Sequence, residues 1–234
     1  MQRWWAVGLL VWAVASTAAE PTAPLRVPDT LAQRALACTG CHGPQGRSSP
    51  QGYVPRIAGK PEAYLYQQLL AFREGRRPHE AMARLLTPLT DDYLRTLAGH
   101  FASLEVAYLP VAQRPATPAA LQTGQRLVQQ GDPSRQLPAC VACHGSALMG
   151  VAPAIPGLLG LPQDYVVGQL GAWRAGTRRA REPDCMAHIV RPLQTEEIAA
   201  IAAWLTAQPV PVSAKPAASL PAPLPQRCGS TELK

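Results

Sequence analysis

Two stretches decide the fold of this chain: Cys38-Thr39-Gly40-Cys41-His42 and Cys140-Val141-Ala142-Cys143-His144. Each has two cysteines separated by two residues and followed directly by a histidine. Within one helical turn, this spacing presents both sulfurs to one edge of a ligand while the next side chain reaches the centre of that ligand. The two copies use four of the six cysteines and two of the five histidines, so coincidence explains them poorly.

The Cys-x-x-Cys-His pattern is the attachment signature of c-type haem. The thiols form thioether bonds to the porphyrin vinyl groups, and the adjacent imidazole binds the iron. The sequence therefore predicts two covalently bound haem c groups. The expected attachment thiols are Cys38, Cys41, Cys140 and Cys143, and the expected iron ligands from the motifs are His42 and His144.

Zinc binding and disulfide formation are the alternative uses of these cysteine pairs. Zinc ribbons place a loop of about 15–20 residues between two such pairs, whereas Cys41 and Cys140 are separated by most of a domain. A thioredoxin-like disulfide needs a βαβ pattern and gives no role to the histidine that follows both pairs. The motifs favour haem over both alternatives.

The chain begins with a segment typical of a cleavable secretory signal, residues 1–19. Arg3 precedes an apolar run from Trp4 to Ala15, and small residues follow it, Ser16-Thr17-Ala18-Ala19. The apolar run is short for a membrane-spanning helix, and a retained N-terminal anchor is the alternative. We expect the mature protein to be in a bacterial periplasm.

The net charge of the chain is modestly basic. The formal charge is +7, and removal of residues 1–19 takes away Arg3 and leaves +6. Nucleic acid is a poor candidate partner for an exported haem protein. The charge indicates acidic docking surfaces on redox partners, or serves solubility alone.

The second half of the chain repeats the first. Pro55 to Pro61 matches Pro156 to Pro162 at an offset of 101 positions, and the match continues as far as Arg77 and Arg178. Beyond that point, Met82 matches Met186 at an offset of 104. The second copy therefore has three extra residues just before its methionine.

Each copy is predicted to form three helices and no real sheet, because no stretch shows sustained two-residue alternation. The predicted helices are Thr30 to Cys41, Pro61 to Glu74, Asp91 to Leu104, Ala119 to Gln130, Pro162 to Ala175 and Glu196 to Ala207. Apolar residues share one face of the third helix in each copy. These predicted core residues are Leu94, Leu97 and Phe101, then Ile198, Ile201 and Leu205.

These patterns predict an all-α protein of two haem domains. The expected domains are residues 28–105 and 119–208, joined by a proline-bearing linker, residues 106–118. The proline-rich tail, residues 209–234, is expected to be extended and mobile, or laid along the surface, rather than folded.

The repeat also indicates which side chain completes each iron site. The candidates outside the motifs are Met82, Met149, Met186, His79, His100 and His188. Only Met82 and Met186 occupy equivalent places, six residues ahead of Pro88 and Pro192. We therefore expect histidine and methionine on opposite faces of each haem, which leaves no position open for substrate and is typical of an electron carrier rather than an enzyme.

Several further residues are candidates for the surroundings of the haem. The backbone carbonyls of Pro55 and Pro156 are placed to accept the imidazole N–H of the haem histidines, although turn prolines are an alternative. Phe72 and Trp173 are expected near the porphyrin or in the core. Six arginines either neutralise haem propionates, form a docking patch or make a solvated basic face: Arg73, Arg76, Arg77, Arg174, Arg178 and Arg179.

The layout resembles the dihaem class I cytochromes c of the cytochrome c4 type over residues 28–208. The resemblance rests on Ala37 to Gly43, Pro138 to Gly145, the Pro55/Gly59 and Pro156/Gly160 pairs, Tyr64 to Gly75, Tyr165 to Gly176 and the segments from each methionine to the last helix. It implies two tandem class I cytochrome c domains related by a pseudo-twofold axis. It further implies that electrons pass between the haems and onward to a terminal oxidase.

The tail, Cys185 and Cys228 depart from that pattern. Cys185 lies directly beside Met186, where a thiolate could bind the iron instead and lower its potential. In an oxidising compartment Cys185 and Cys228 could also pair and tie the tail over the second domain, or remain two free thiols.

Three functions are compatible with the sequence. The first is a periplasmic electron carrier between a quinol-oxidising complex and a terminal oxidase, with a peripheral position at the membrane surface left open. The second is the dihaem electron-accepting subunit of a dehydrogenase, such as a sulfide-oxidising flavoprotein. The third is a dihaem enzyme, a peroxidase or a thiosulfate-oxidising cytochrome, which the two internal sixth ligands disfavour.

Overall fold

The computed structural model of the protein describes residues 27–48, 53–211 and 214–231. The predicted signal segment, residues 1–19, lies outside the described residues. The first half contains α1 (Leu31–Arg34), α2 (Leu36–His42), α3 (Glu62–Arg73), α4 (Glu80–Leu86) and α5 (Asp91–Ser103). The second half contains α6 (Pro118–Gln129), α7 (Val141–His144), β1 (Gly150–Val151), β2 (Ile155–Pro156), α8 (Gln163–Arg174), α9 (Cys185–Val190) and α10 (Thr195–Ala207).

The fold is all-α, as predicted, apart from the two short antiparallel strands. β1 pairs with β2 over two residues each, which agrees with the expectation of no real sheet. The described residues also form one-turn 3-10 helices at Pro44–Gly46 and Pro133–Arg135. None of the helices in the described ranges has the length and apolar character needed to cross a membrane.

The core of the first half lies between α3 and α5. The Thr90 hydroxyl accepts the N–H of Tyr93 and so caps the start of α5. One face of α5 is buried, and it presents the three predicted core residues, Leu94, Leu97 and Phe101. The helical spacing therefore predicted this face correctly.

The core of the second half lies among α6, α8 and α10. Gln194 and Glu197 form a reciprocal capping box at the start of α10. The predicted core residues of this helix are all buried, namely Ile198, Ile201 and Leu205. Gly124 brings α6 close to α10, because a Cβ at this position would lie 2.2 Å from the carbonyl oxygen of Ala200.

Two details of the predicted helices were wrong. The first predicted helix is two helices, α1 and α2, with Ala35 between them. The sequence also gave no sign of α4 and α9, because seven and six residues are too few to show a periodic pattern. Each of these short helices carries one of the two predicted methionine ligands.

The described part of the tail lies along the surface of the second half. The Ala152 N–H donates to the Ala217 carbonyl at 2.8 Å, and the Ala217 N–H donates to the Gly150 carbonyl at 2.9 Å. Cys228 forms a disulfide with Cys185, 43 residues earlier in the chain. Of the two expectations for the tail, the surface position is therefore the one that applies to its described residues.

Candidate haem-binding sites

The first candidate site is built on α2. This helix carries Cys38, which is partly buried, and Cys41, which is exposed, and it ends at His42. The His42 Nδ1 lies 2.8 Å from the Pro55 carbonyl oxygen. Because a carbonyl only accepts, Nδ1 carries the proton and the lone pair of Nε2 is left available to a metal.

The second candidate site repeats this geometry. Cys140 precedes α7, and this helix carries Cys143 and ends at His144. The His144 Nδ1 donates to the Pro156 carbonyl oxygen at 2.7 Å. The predicted role of the two proline carbonyls as hydrogen-bond acceptors is therefore present in both halves.

The surroundings of the two histidine rings favour the form that binds iron. Burial lowers the pKa of His42, and it also lowers the pKa of His144, although the hydrogen bond to the carbonyl opposes this effect in each case. Both shifts favour the neutral imidazole, which is the form that ligation requires.

A glycine follows each histidine and ends the motif helix, a structural role that the sequence analysis did not assign to it. Gly43 has φ of 74° and Gly145 has φ of 81°, a region that L side chains rarely adopt. A Cβ on Gly43 would lie 2.0 Å from the Ser48 carbonyl oxygen. The chain therefore turns sharply away from the ligand histidine, and the recurrence of glycine at both positions was the available signal.

The structure argues against the two alternative uses of the motif cysteines. The four thiols are not in disulfides. Within the described ranges, no three His, Cys, Asp or Glu side chains come together as a metal site, so the two pairs do not form a zinc ribbon. Burial also raises the pKa of Cys140 to about 12, which disfavours a thiolate at that position.

The two predicted methionine ligands lie in the first turns of equivalent helices. Met82 is in α4 and Met186 is in α9, and both side chains are partly buried. The His79 ring caps α4 by accepting the N–H of Met82 at 3.3 Å. Asp184 caps α9 in the same way by accepting the N–H of Ala187 at 3.0 Å.

The structure gives other roles to several rival ligands. Met149 is 5% exposed and belongs to the core of the second half. His79 is exposed and engaged as a helix cap, and His188 is exposed. Cys185 is bonded to Cys228, so the alternative of a Cys185 thiolate beside Met186 is excluded in this structure.

A polar cluster joins the two halves of the chain. Arg77 donates to the Tyr165 hydroxyl at 2.8 Å and to Gln169 at 2.7 Å, and Arg178 donates to Gln68 at 2.9 Å and to Gln169 at 2.6 Å. Both guanidinium groups are buried. Burial, and next the charge of Arg77, lower the pKa of Arg178 to about 10.

Arg77 and Arg178 are therefore not part of a solvated basic face, whereas Arg174 and Arg179 are exposed to solvent. Arg77 stacks on Phe72 with 4.5 Å between its Cζ and the ring centroid, and Arg178 stacks on Trp173 at 3.7 Å. Arg73 instead donates to the Leu89 carbonyl at 2.9 Å, which links α3 to the segment before α5.

The cluster fits a prosthetic group that carries carboxylates. Neither Arg77 nor Arg178 forms an ion pair with a carboxylate among the described residues. The buried Trp173 Nε1 also has no hydrogen-bond partner in the structure. Buried charges are usually paired, so two buried guanidinium groups that lack a carboxylate partner, together with the Trp173 N–H donor, suit the propionates of haem.

The fold and the two motif helices define an all-α protein of two tandem class I cytochrome c domains. The cytochrome c family model matches residues 30–93. A thiosulfate dehydrogenase electron acceptor from Thiomonas intermedia (strain K12) is 35% identical over 87% of this chain and 88% of its own length. Cytochrome c4 from Pseudomonas aeruginosa is 34% identical over 74% of this chain and 84% of its own length.

The chain is also similar to part of a solved structure. Thiosulfate dehydrogenase from Marichromatium purpuratum superposes on 75% of this chain with a TM-score of 0.65 and 32% identity. This chain spans only 37% of that longer chain. The chain belongs to the cytochrome c4 family of dihaem cytochromes c. It is accordingly an electron-transfer protein with two covalently bound haem c groups.

Proposed function

We propose that each half of the chain holds one haem between a histidine and a methionine. The proposed attachment thiols are Cys38 and Cys41 in the first half and Cys140 and Cys143 in the second. The proposed axial pairs are His42 with Met82 and His144 with Met186. When bound, haem supplies one-electron chemistry, and the thioether ligand favours the reduced iron.

The observation that carries this proposal is the pair of histidine–carbonyl hydrogen bonds. The Pro55 and Pro156 carbonyls hold His42 and His144 in one tautomer and one ring orientation. A fixed ring lowers the rearrangement that accompanies a change of charge at the metal. The chain's own residues thus hold the two histidine rings in the same way, which suits electron relay.

We propose a thiosulfate dehydrogenase as the electron donor. Support comes from the 35% identity, over most of both chains, to a protein named as the electron acceptor of such an enzyme. The experiment is stopped-flow mixing of the oxidised holoprotein with thiosulfate and a purified thiosulfate dehydrogenase. We expect reduction of both haems only when the enzyme is present, and no enzyme-dependent reduction would contradict this donor.

The second candidate is a carrier from a quinol-oxidising complex to a terminal oxidase, which the similarity to cytochrome c4 favours. Purified complex and quinol replace the dehydrogenase and thiosulfate in the same instrument. If the quinol-oxidising complex reduces the protein much faster than the dehydrogenase does, this second candidate is the better description.

We also propose that the mature protein is periplasmic and lacks residues 1–19. The apolar run from Trp4 to Ala15, followed by small residues, supports export. N-terminal sequencing of the protein isolated from a periplasmic extract tests this. A start at Glu20 is expected, and an intact Met1 in a membrane fraction would contradict it.

A further inference from the structure

Lys60 connects the first half of the chain to the second candidate site. It lies just before α3 and is 5% exposed. Its ammonium Nζ donates to the Gly157 carbonyl oxygen at 2.9 Å. Gly157 directly follows Pro156, whose carbonyl holds the His144 ring. A cation from one domain is therefore buried beside the histidine loop of the other.

The contact has no counterpart at the first site. At the offset of 101 positions, Lys60 matches Leu161 and Gly157 matches Arg56. Leu161 is apolar and has no charge to bring to the first histidine loop. The Arg56 guanidinium bonds to the Ala58 carbonyl and to linker carbonyls instead. The two halves are thus alike in their ligands and unlike at this position.

The charge of Lys60 is not neutralised by a neighbouring carboxylate. Among the described residues its ammonium forms no ion pair. Besides burial, the charge of Arg56 lowers the pKa of Lys60, and the charge of Lys60 in turn lowers the pKa of His144. Burial lowers the pKa of Lys60 to about 8, so most of the molecules carry the charge at pH 7. Burial lowers the pKa of His144, the hydrogen bond to the Pro156 carbonyl opposes this effect, and the Lys60 charge lowers the pKa further.

The neighbours of the first histidine are different. Besides burial, Arg77 and His79 are the groups whose charge lowers the pKa of His42. Arg77 belongs to the polar cluster, and its guanidinium donates to Gln68, Tyr165 and Gln169. Replacing Lys60 therefore leaves the charges around the first site in place.

We propose that Lys60 selectively raises the reduction potential of the second haem, so that a side chain of one domain tunes the haem of the other. A buried positive charge disfavours the ferric iron, which carries one more positive charge than the ferrous iron. This inference rests on the proposed dihaem arrangement. It makes Lys60 a residue that separates two otherwise similar potentials.

The test is spectroelectrochemical titration of the holoprotein and its Lys60→Met variant. The Met82→His and Met186→His variants assign the two waves, because each changes the axial ligand of one site only. At a fixed applied potential, we expect the ratio of reduced to oxidised second haem to fall by about three- to tenfold in Lys60→Met. A tenfold change corresponds to 59 mV for a one-electron couple. The first haem should be unchanged.

Three further variants keep the interpretation sharp. Lys60→Gln retains an N–H donor for the Gly157 carbonyl but removes the charge, so it should shift the second wave as Lys60→Met does. It replaces Lys60→Met in the test if that variant does not fold. Lys60→Arg retains the charge and should leave the wave near its original position. Lys215→Met, which removes an exposed lysine paired with Glu105, should move neither wave.

Several results would overturn the proposal. They are an unmoved second wave in both neutral variants, equal shifts of both haems, or an effect of Lys60→Arg as large as that of Lys60→Met. Failure of the proposed dihaem arrangement would give a different result. The unaltered protein would then contain fewer than two haems, or its reduced form would bind carbon monoxide rapidly. Both properties are measured independently of the potentials.

Discussion

At each candidate site a single backbone oxygen selects which nitrogen of the histidine faces the metal. The Pro55 and Pro156 carbonyls do this for His42 and His144. The prediction from spacing was accurate here because the acceptor is a backbone atom and depends only on where the chain passes. Lys60 was not predicted to contact the second half, although its mismatch with Leu161 was a visible signal within the repeat.

The proposed methionine ligands can be tested one at a time. In Met82→Ala or Met186→Ala, the missing thioether opens one axial position, so the reduced protein should bind one carbon monoxide per chain rapidly. The sulfur-to-iron charge-transfer band should fall by about half in each case. Met149→Leu is the matched control and should retain both bands, because Met149 lies in the hydrophobic core. Rapid carbon monoxide binding by the unaltered protein would contradict the assignment.

Lys60 should also make the stability of the protein depend on pH. Its pKa is about 8 in the folded chain, below its ordinary value of 10.5. The unfolded chain therefore binds more protons in this window, and the free energy of unfolding should rise between pH 8 and 10.5 by up to about 3 kcal/mol. Denaturant unfolding of the holoprotein and of Lys60→Met should show this rise only when Lys60 is present. Parallel pH profiles would contradict the prediction.

At the scale of elements, the tail contacts the segment just before Met186, where the second half has three extra residues. The Gly229 N–H donates to the Pro183 carbonyl at 3.0 Å, and a Cβ on Gly229 would lie 2.2 Å from the Glu182 carbonyl oxygen. Gln67 of the first half also donates to the Ser230 carbonyl at 2.8 Å. The end of the described tail thus braces the segment before Met186 against the first half.

Removal of the disulfide should release this brace. Cys228→Ser removes a crosslink between residues 43 positions apart. Because this crosslink restricts the unfolded chain, the free energy of unfolding should fall by about 2–4 kcal/mol. Brief proteolysis followed by mass spectrometry should then show trimming of the tail. Ser219→Ala, which leaves the disulfide intact, is a control in the same tail. Equal protease resistance of the Cys228→Ser variant and the unaltered protein would argue against the brace.

The crossing of α6 and α10 depends on Gly124, and Gly171 in α8 offers a matched comparison. A Cβ on Gly124 would meet the Ala200 carbonyl, whereas a Cβ on Gly171 has nothing within 4 Å. Gly124→Ala should lower the free energy of unfolding by about 1–3 kcal/mol through overpacking. Gly171→Ala should raise it by about 0.5–1 kcal/mol through helix propensity. Thermal unfolding measures both, and equal effects would contradict this account of the helix crossing.

At the scale of the whole molecule, the repeat and the motifs predicted most of the fold. The long helices and their buried faces followed from apolar spacing, as Leu94 and Ile198 illustrate. The contacts between the halves did not follow, because a polar cluster such as Arg77 with Tyr165 exists only when distant segments meet. The disulfide of Cys185 was one of several open possibilities for the same reason.

The central claim is that this chain wraps two covalently held haems in two similar halves. Intact mass spectrometry of the acid-denatured mature protein tests it most directly, because thioether-linked haem stays attached when the fold is lost. The expected mass is that of the polypeptide plus two haems, with loss of one haem in the Cys38→Ala/Cys41→Ala variant. A mass showing no haem, or only one haem on the unaltered chain, would contradict the account.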